Sequence, residues 1–427
     1  MRRGTVGIAV AITLLAAPSA VAADFVPGRV IVTFDAGVSQ SARTDAHARA
    51  GGHVVDRIPA IRADVVRVGA GNEAGALARY RERSAVEVAE RDEVVTALSD
   101  DCAADSTACY TPSDPYYTRE WGLQNDAFTL QPDASFDHDA DIDAPYAWQV
   151  TRGSSATRIA ILDSGIDQNH EDLAAKIVAN RNFSSSRTVD DRYGHGTHVA
   201  GTAAALSDNG RGVAGVALNA ALMNVKVLGD NGSGSCSAIA NGMTWAADNG
   251  AQVINMSLGG GACAAEENAV NYAWNRGVLL AAAAGNSGAE TVSCPACYAN
   301  TIAVAATDND DLRADFSNYG PGVDVAAPGK HVFSTFPNHR NRIGKRNYDY
   351  GSGTSMAAPH VAGAAGLIWS TVSDSAGDGA LNDEVRSRIE TYADNIPGTG
   401  TLWSAGRLNA CRAATADGSE GPVCGSH

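Results

Sequence analysis

Five short apolar runs, set apart by stretches of helical character, constrain this chain more than anything else in it. The first, Arg158–Asp163 (Arg-Ile-Ala-Ile-Leu-Asp), is continuous rather than alternating, as are 221–228, 253–258, 278–284 and 302–306. A run without alternation marks a strand covered on both faces, because successive residues of a strand point to opposite sides. Residues 196–205, 238–248 and 268–276 lie between these runs and have helical spacing. Strands and helices alternating in this way predict an α/β fold: a parallel sheet with helices on both faces. Such sheets carry their sites outside the carboxyl ends of the strands.

Residues 24–98 read differently. Alternating segments at 30–34, 65–68 and 86–88 flank helical stretches at 39–50 and 73–83, the pattern of a small α+β unit. This unit has 10 basic and 11 acidic residues and no cysteine, whereas the chain beyond it holds all eight cysteines. That contrast predicts separate fates for the two parts. Ahead of both, Arg2 and Arg3 precede an apolar run over 6–17 interrupted only by Thr13, then Pro18 and the small residues of 20–23. This is the pattern of a secretory signal peptide at 1–23. Twelve helical residues rise roughly 18 Å, too short for a hydrocarbon core of about 30 Å. No later run is long and apolar enough to span, so the expectation is a secreted protein without a membrane partner and with its cysteines paired.

Lys plus Arg number 32 against 48 Asp plus Glu, a formal charge of −16. That surplus disfavours a phosphate-binding surface, so no nucleic-acid partner is expected. Residues 99–427 carry 20 basic and 37 acidic residues, so the acidity belongs to them. Motifs exclude further classes. There is no H-E-x-x-H for a zinc protease, no G-x-S-x-G for an esterase-type hydrolase, and no G-K-[ST] for nucleotide phosphates.

Three segments carry the chemistry. Asp163 closes the first buried strand; His195 opens a small-residue helix in Gly194-His195-Gly196-Thr197-His198; Ser355 opens another in Gly353-Thr354-Ser355-Met356-Ala357. Delivered to one sheet edge, these three can form a hydrogen-bonded chain. In it Ser355 is the nucleophile, His195 the general base and then acid, and Asp163 the group that fixes the imidazole tautomer. Unpaired N–H groups at the start of the serine's helix favour a developing oxyanion. Asn286, just past the buried run at 278–284, is placed to supply a second donor. His198 and His360 read as structural.

The three segments, in this order, resemble the Asp, His and Ser motifs of the subtilisin-like serine proteases. The resemblance runs from about Tyr110 to Asn409, and Tyr110-Thr-Pro-Ser-Asp-Pro-Tyr116 and 301–308 bring it nearest to the thermitase-like branch. It implies a serine endopeptidase acting on protein and peptide substrates, with Asp163, His195 and Ser355 catalytic and Asn286 in the oxyanion hole. Gly232, Ser233 and Gly234, with Ser257, Leu258, Gly259 and Gly260, resemble the two strands that sandwich the substrate backbone. Residues 24–98 resemble the subtilase propeptide, a ferredoxin-like open-faced domain acting as intramolecular inhibitor and chaperone. The expected architecture is therefore a signal peptide at 1–23, an inhibitory propeptide at 24–98 and a peptidase domain at 99–427 with a short disulfide-tied tail. Self-cleavage is expected after Leu98, with Val95 the fourth residue upstream. The alternative of a different class is a catalytically silent secreted peptide-binding protein.

The resemblance also implies a structural calcium site: side chains of Asp114, Asp172 and Asn209, and carbonyls of Leu206, Arg211 and Val213. The turn 206–213 is rich in glycine and suits a hard cation. Residues 182–191 are poorer in acids than a second thermitase-type site would need, and no second site is assigned. Proximity pairs Cys102 with Cys109, Cys294 with Cys297 and Cys411 with Cys424, leaving Cys236 with Cys263 across the cleft rim. The segments 257–260, 281–286 and 293–298 carry no charge, which predicts an apolar or aromatic residue before the scissile bond. A monomer is expected.

Overall fold

The computed structural model describes residues 25–93, 110–125, 140–416 and Cys424. The expected signal peptide, the Leu98 cleavage point with Val95, and the Cys102–Cys109 pair lie outside these residues. The chain divides into two compact units, with the boundary at Ala97 and Leu98.

The first unit runs β1 (Phe25–Phe34), α1 (Gln40–Ala50), β2 (His53–Ile58), β3 (Ala63–Arg67), α2 (Glu73–Arg81) and β4 (Val86–Glu93). Its sheet has the order β2-β3-β1-β4, every pair antiparallel, the ferredoxin-like arrangement. Alternation puts Val30, Val32 and Phe34 on one face with Val66, and Ala46, Ala50, Ala76, Leu77 and Tyr80 of the two helices cover it. The sequence reading found three of the four strands and missed β2. This edge strand is almost wholly exposed, and Asp56 and Arg57 erase its alternation.

The second unit carries α3 (Ala144–Val150), β5 (Arg158–Asp163), β6 (Ile177–Asn182), α4 (His195–Ala204), β7 (Ala221–Lys226), α5 (Cys236–Asp248), β8 (Val253–Met256), α6 (Ala264–Trp274) and β9 (Leu279–Ala283). Then follow β10 (Ile302–Thr307), β11 (Val325–Pro328), the hairpin of β12 (Val332–Phe336) and β13 (Asn347–Gly351), α7 (Thr354–Ile368), α8 (Asn382–Thr391) and α9 (Ala410–Thr415). Seven strands form one sheet, β11-β10-β9-β8-β5-β7-β6, parallel throughout. The two faces of β5 feed two cores. Ile159 and Ile161 pack with Val199, Val361 and Ala365 of α4 and α7, while Ala160 and Leu162 pack with Met243 and Val270 of α5 and α6. Helix α7 is buried along nearly its whole length. A methyl group on its Gly363 would lie 2.6 Å from Val216 Cβ and 2.8 Å from the Ala203 carbonyl, so α7 approaches α4 at backbone range.

Near the C-terminus the side chain of Arg407, fully buried, reaches Asp311 at 2.5 Å and Asp394 at 2.7 Å. The disulfides Cys236–Cys263, Cys294–Cys297 and Cys411–Cys424 are formed.

Candidate active site

β5, β8 and β9 deliver their ends to the edge at which α4 and α7 begin. Asp163, the last residue of β5, is fully buried, and His195 Nδ1 stands 2.8 Å and 3.0 Å from its two oxygens. The approach depends on glycine. A Cβ on Gly196 would fall 2.2 Å from the Gly165 carbonyl oxygen and 3.0 Å from Asp163 Cβ. Gly194, which admits the chain to α4, has φ +112°. Burial pushes the His195 pKa down, but the Asp163 charge and hydrogen bond outweigh it and leave it raised above the ordinary value.

Behind this pair lies a carboxylate that motif reading missed. Asp191 is fully buried; one oxygen accepts from the N–H of Gly194 (2.8 Å) and of Tyr193 (3.1 Å) and from Ser164 Oγ (2.9 Å). The other accepts from the Thr197 N–H at 2.9 Å and hydroxyl at 2.7 Å. It therefore knots the turn after β5 to the turn that opens α4. Lys226, at the end of β7 and fully buried, donates to the carbonyls of Ser164 and Asp190 from below. An acid four residues before the histidine was the available signal.

Ser355 is the second residue of α7. Its hydroxyl donates to the Ser257 carbonyl at 3.2 Å, and Ser257 Oγ donates to the Ser355 carbonyl at 2.7 Å. Among the described residues the Ser355 hydroxyl makes no hydrogen bond to His195. Asn286 Oδ1 accepts from Thr354 N–H (2.8 Å) and Thr354 Oγ1 (2.9 Å), which orients the amide and leaves its NH₂ beside the start of α7. His198 and His360 bond to the Val332 and Met356 carbonyls, and burial holds their pKa values down at about 3 and about 4. Both are neutral and structural.

His195 opens onto a cavity of about 510 Å³. Gly232, Ser233, Gly234, Ser257, Leu258, Gly259 and Gly260 all line it, so the two expected rims meet across one groove. A Cβ on Gly232 would strike the Tyr193 ring at 2.5 Å, and Cys236–Cys263 ties the helices that follow the rims. Glu266, outside the uncharged segments considered above, lines the same cavity.

Of the expected cation ligands, Asp114, Asp172 and the Leu206 carbonyl meet around Asn209, whereas Arg211 and Val213 are tied in through their N–H groups. Asn209 Nδ2 stands 2.7 Å from Asp172 Oδ1 and 3.2 Å from the Leu206 carbonyl, and a half-turn of that amide presents Oδ1 instead. The Val213 N–H donates to Asp172 Oδ2 (3.0 Å), the Asp208 and Asn209 N–H groups to Asp114 (2.7 and 3.2 Å), and the Arg211 N–H to Asn209 Oδ1 (2.7 Å). Asp114 and Asp172 are buried, Glu120 lies beside them, and none of the three has an ion pair among the described residues. Burial pushes all three carboxyls up. An all-oxygen donor set with unneutralised buried carboxylates fits a hard divalent cation.

Residues 154–407 match the model of the Subtilase family, and 13–92 match that of the fervidolysin N-terminal prodomain. The chain is 46% identical over 307 residues to thermitase of Thermoactinomyces vulgaris, covering 71% of this chain and 99% of that protein. It is 40% identical over 405 residues to a thermophilic serine proteinase of Bacillus sp. (strain AK1), covering 92% and 88%. A solved protease structure from Pseudoalteromonas arctica superposes with a TM-score of 0.63 at 33% identity, covering 72% of this chain and 99% of the other. A parallel sheet that sets an Asp–His pair on a groove, with a helix-borne serine bonded to the groove's Ser257, and a match over most of the second unit, agree with one another. The chain belongs to the subtilase family and is a subtilisin-like serine protease with a prodomain.

Proposed function

We propose that this protease cleaves peptide bonds through Asp163, His195 and Ser355 by way of an acyl-enzyme. The observation that carries the reading is the double approach of His195 Nδ1 to a fully buried Asp163, in a groove whose Ser257 is hydrogen-bonded to the serine at the start of α7. Rotation of the Ser355 side chain away from the Ser257 carbonyl brings Oγ to His195 Nε2. As Oγ bonds to the scissile carbonyl carbon, its proton passes to Nε2. The tetrahedral oxyanion accepts from Asn286 Nδ2 and the N–H groups that open α7. Collapse breaks the C–N bond, and the leaving amine takes the proton from His195. Water then hydrolyses the ester by the same route. Asp163 holds the tautomer and steadies the imidazolium throughout.

The substrate backbone adds as a strand between 232–234 and 257–260, where glycines let another main chain approach. The uncharged segments 257–260, 281–286 and 293–298 favour an apolar or aromatic residue before the scissile bond. Residues 24–98 act as inhibitor and chaperone, released by self-cleavage after Leu98, and the enzyme is exported as a monomer. Asp114, Asp172 and Asn209, with the carbonyls of Leu206, Arg211 and Val213, would hold Ca²⁺, which would supply charge neutralisation and a cross-link between three chain segments.

Casein hydrolysis by the wild type, lost in Ser355→Ala, tests the mechanism; activity surviving in that variant refutes it. A wild type that binds casein without cutting it would instead be the silent binding protein. Unreduced mass spectrometry of the mature protein tests the start at Ser99, and a start beyond Cys102 refutes it.

A further inference from the structure

Glu266 is 5% exposed, lines the substrate groove and has no hydrogen-bond or ion-pair partner for its carboxyl among the described residues. A buried charge left in this state costs stability unless something pairs with it. A capping-box use is ruled out. Glu266 is the third residue of α6, where a capping-box carboxylate would reach back to the N–H of Cys263. That N–H donates instead to Tyr298 Oη at 2.8 Å. The carboxyl sits within 4.8 Å of the sulfurs of Cys236 and Cys263. Those sulfurs are joined to each other and cannot hold a metal. Gly260 and Gly261 leave the approach open, since a Cβ on either would meet nothing within 4 Å.

We propose that Glu266 is a specificity-determining residue that pairs with a Lys or Arg side chain of the substrate, three or four residues upstream of the scissile bond. This inference rests on the protease reading above. The rim runs from Ser257, bonded to Ser355, to Gly260, about 10 Å at roughly 3.3 Å per strand residue. Glu266 stands past that far end beside Cys263, so the substrate residue that reaches it lies beyond the pair nearest the reacting bond. Successive residues face opposite sides, so one of the two positions makes the contact and the other does not. Around the carboxylate, Ile239, Leu258 and the disulfide are apolar; they hold the stem of a long basic side chain while its head is charge-paired. A precursor with Val95 at the fourth position does not need this contact, because its own chain delivers the bond at high effective concentration.

The test uses quenched peptides with one cleavable bond, differing only in Arg or Leu at the third or fourth upstream position. Wild type is expected to prefer Arg over Leu by about tenfold in kcat/KM at one of the two positions. Glu266→Gln brings that ratio near unity by lowering kcat/KM for the Arg peptides, and Glu266→Leu reverses the preference. Equal ratios in wild type and Glu266→Gln at both positions would overturn the inference. So would variants that slow every peptide alike while lowering Tm, which is the mark of a structural role. Cleavage surviving Ser355→Ala would overturn the protease mechanism itself, and this inference with it.

Discussion

The second unit keeps two sets of buried carboxylates, and they are satisfied in opposite ways. At one, Arg407 reaches Asp311 and Asp394, Arg412 adds a contact to Asp394 at 2.8 Å, and the Asn409 amide bridges Asp394 and Asp143. At the other, Asp114, Asp172 and Glu120 have backbone N–H groups, the Asn209 amide and the Tyr348 hydroxyl around them, and no cationic side chain pairs with them among the described residues. The first set carries its cations in the sequence and is complete in any solution. On the calcium proposal the second is completed from outside, so its contribution to stability follows an ion's concentration. Asp163 is an intermediate case: its partner, His195, is a cation only when protonated.

The largest expected effect lies at that intermediate case. Asp163→Asn keeps the shape but loses the orienting charge, and kcat should fall by about 10⁴ in a peptide assay. Next comes Arg407→Leu, which removes the buried cation shared by Asp311 and Asp394 and should destabilise by about 3–5 kcal/mol in denaturant unfolding, measured in the Ser355→Ala background to prevent self-digestion. Addition of Ca²⁺ should not restore it. Chelation should follow at about 3–4 kcal/mol relative to ion at a hundred to a thousand times its dissociation constant. Asp172→Asn should abolish that difference, whereas Arg407→Leu should retain it; a chelator without effect removes the cation proposal. The smallest effect is the pH profile. Since the His195 pKa is raised, the neutral base forms only as pH climbs through that raised value. The acid limb of kcat/KM should therefore have its midpoint above 6.5, and Asp163→Asn should move it down. By the same sign, the Asp163–His195 pair contributes its full stability below the unfolded His value and loses it as pH rises through the folded one.

Legibility in the sequence followed burial. β5 was read to its residue, and the helix at α4 to within one, because a strand covered on both faces and a helix of small residues leave unmistakable runs. Edge strands left no such run. β6 alternates half-buried and exposed residues and ends in Asn-Arg-Asn, and β2 is charged on its open face. The Asp, His and Ser segments announced themselves because each is contiguous. The roles of Asp191, Lys226 and Glu266 come from what they face once the chain is folded, and nothing adjacent to them in sequence encodes that. Glu266 in particular sits one helical turn from a cysteine whose disulfide was inferred, yet the groove's charge was judged from three other segments.

The strand order has a bearing on time as well as shape. β5 lies between β7 and β8, both of which follow it in the chain. A polypeptide emerging N-terminus first therefore holds β5 with both edges bare until two later strands are made, and α7 arrives later still. On the mechanism proposed here, Asp163 and His195 wait for Ser355, which follows all seven strands of the sheet. Hydrolytic competence then waits until every strand of the sheet has been made and α7 can close over it.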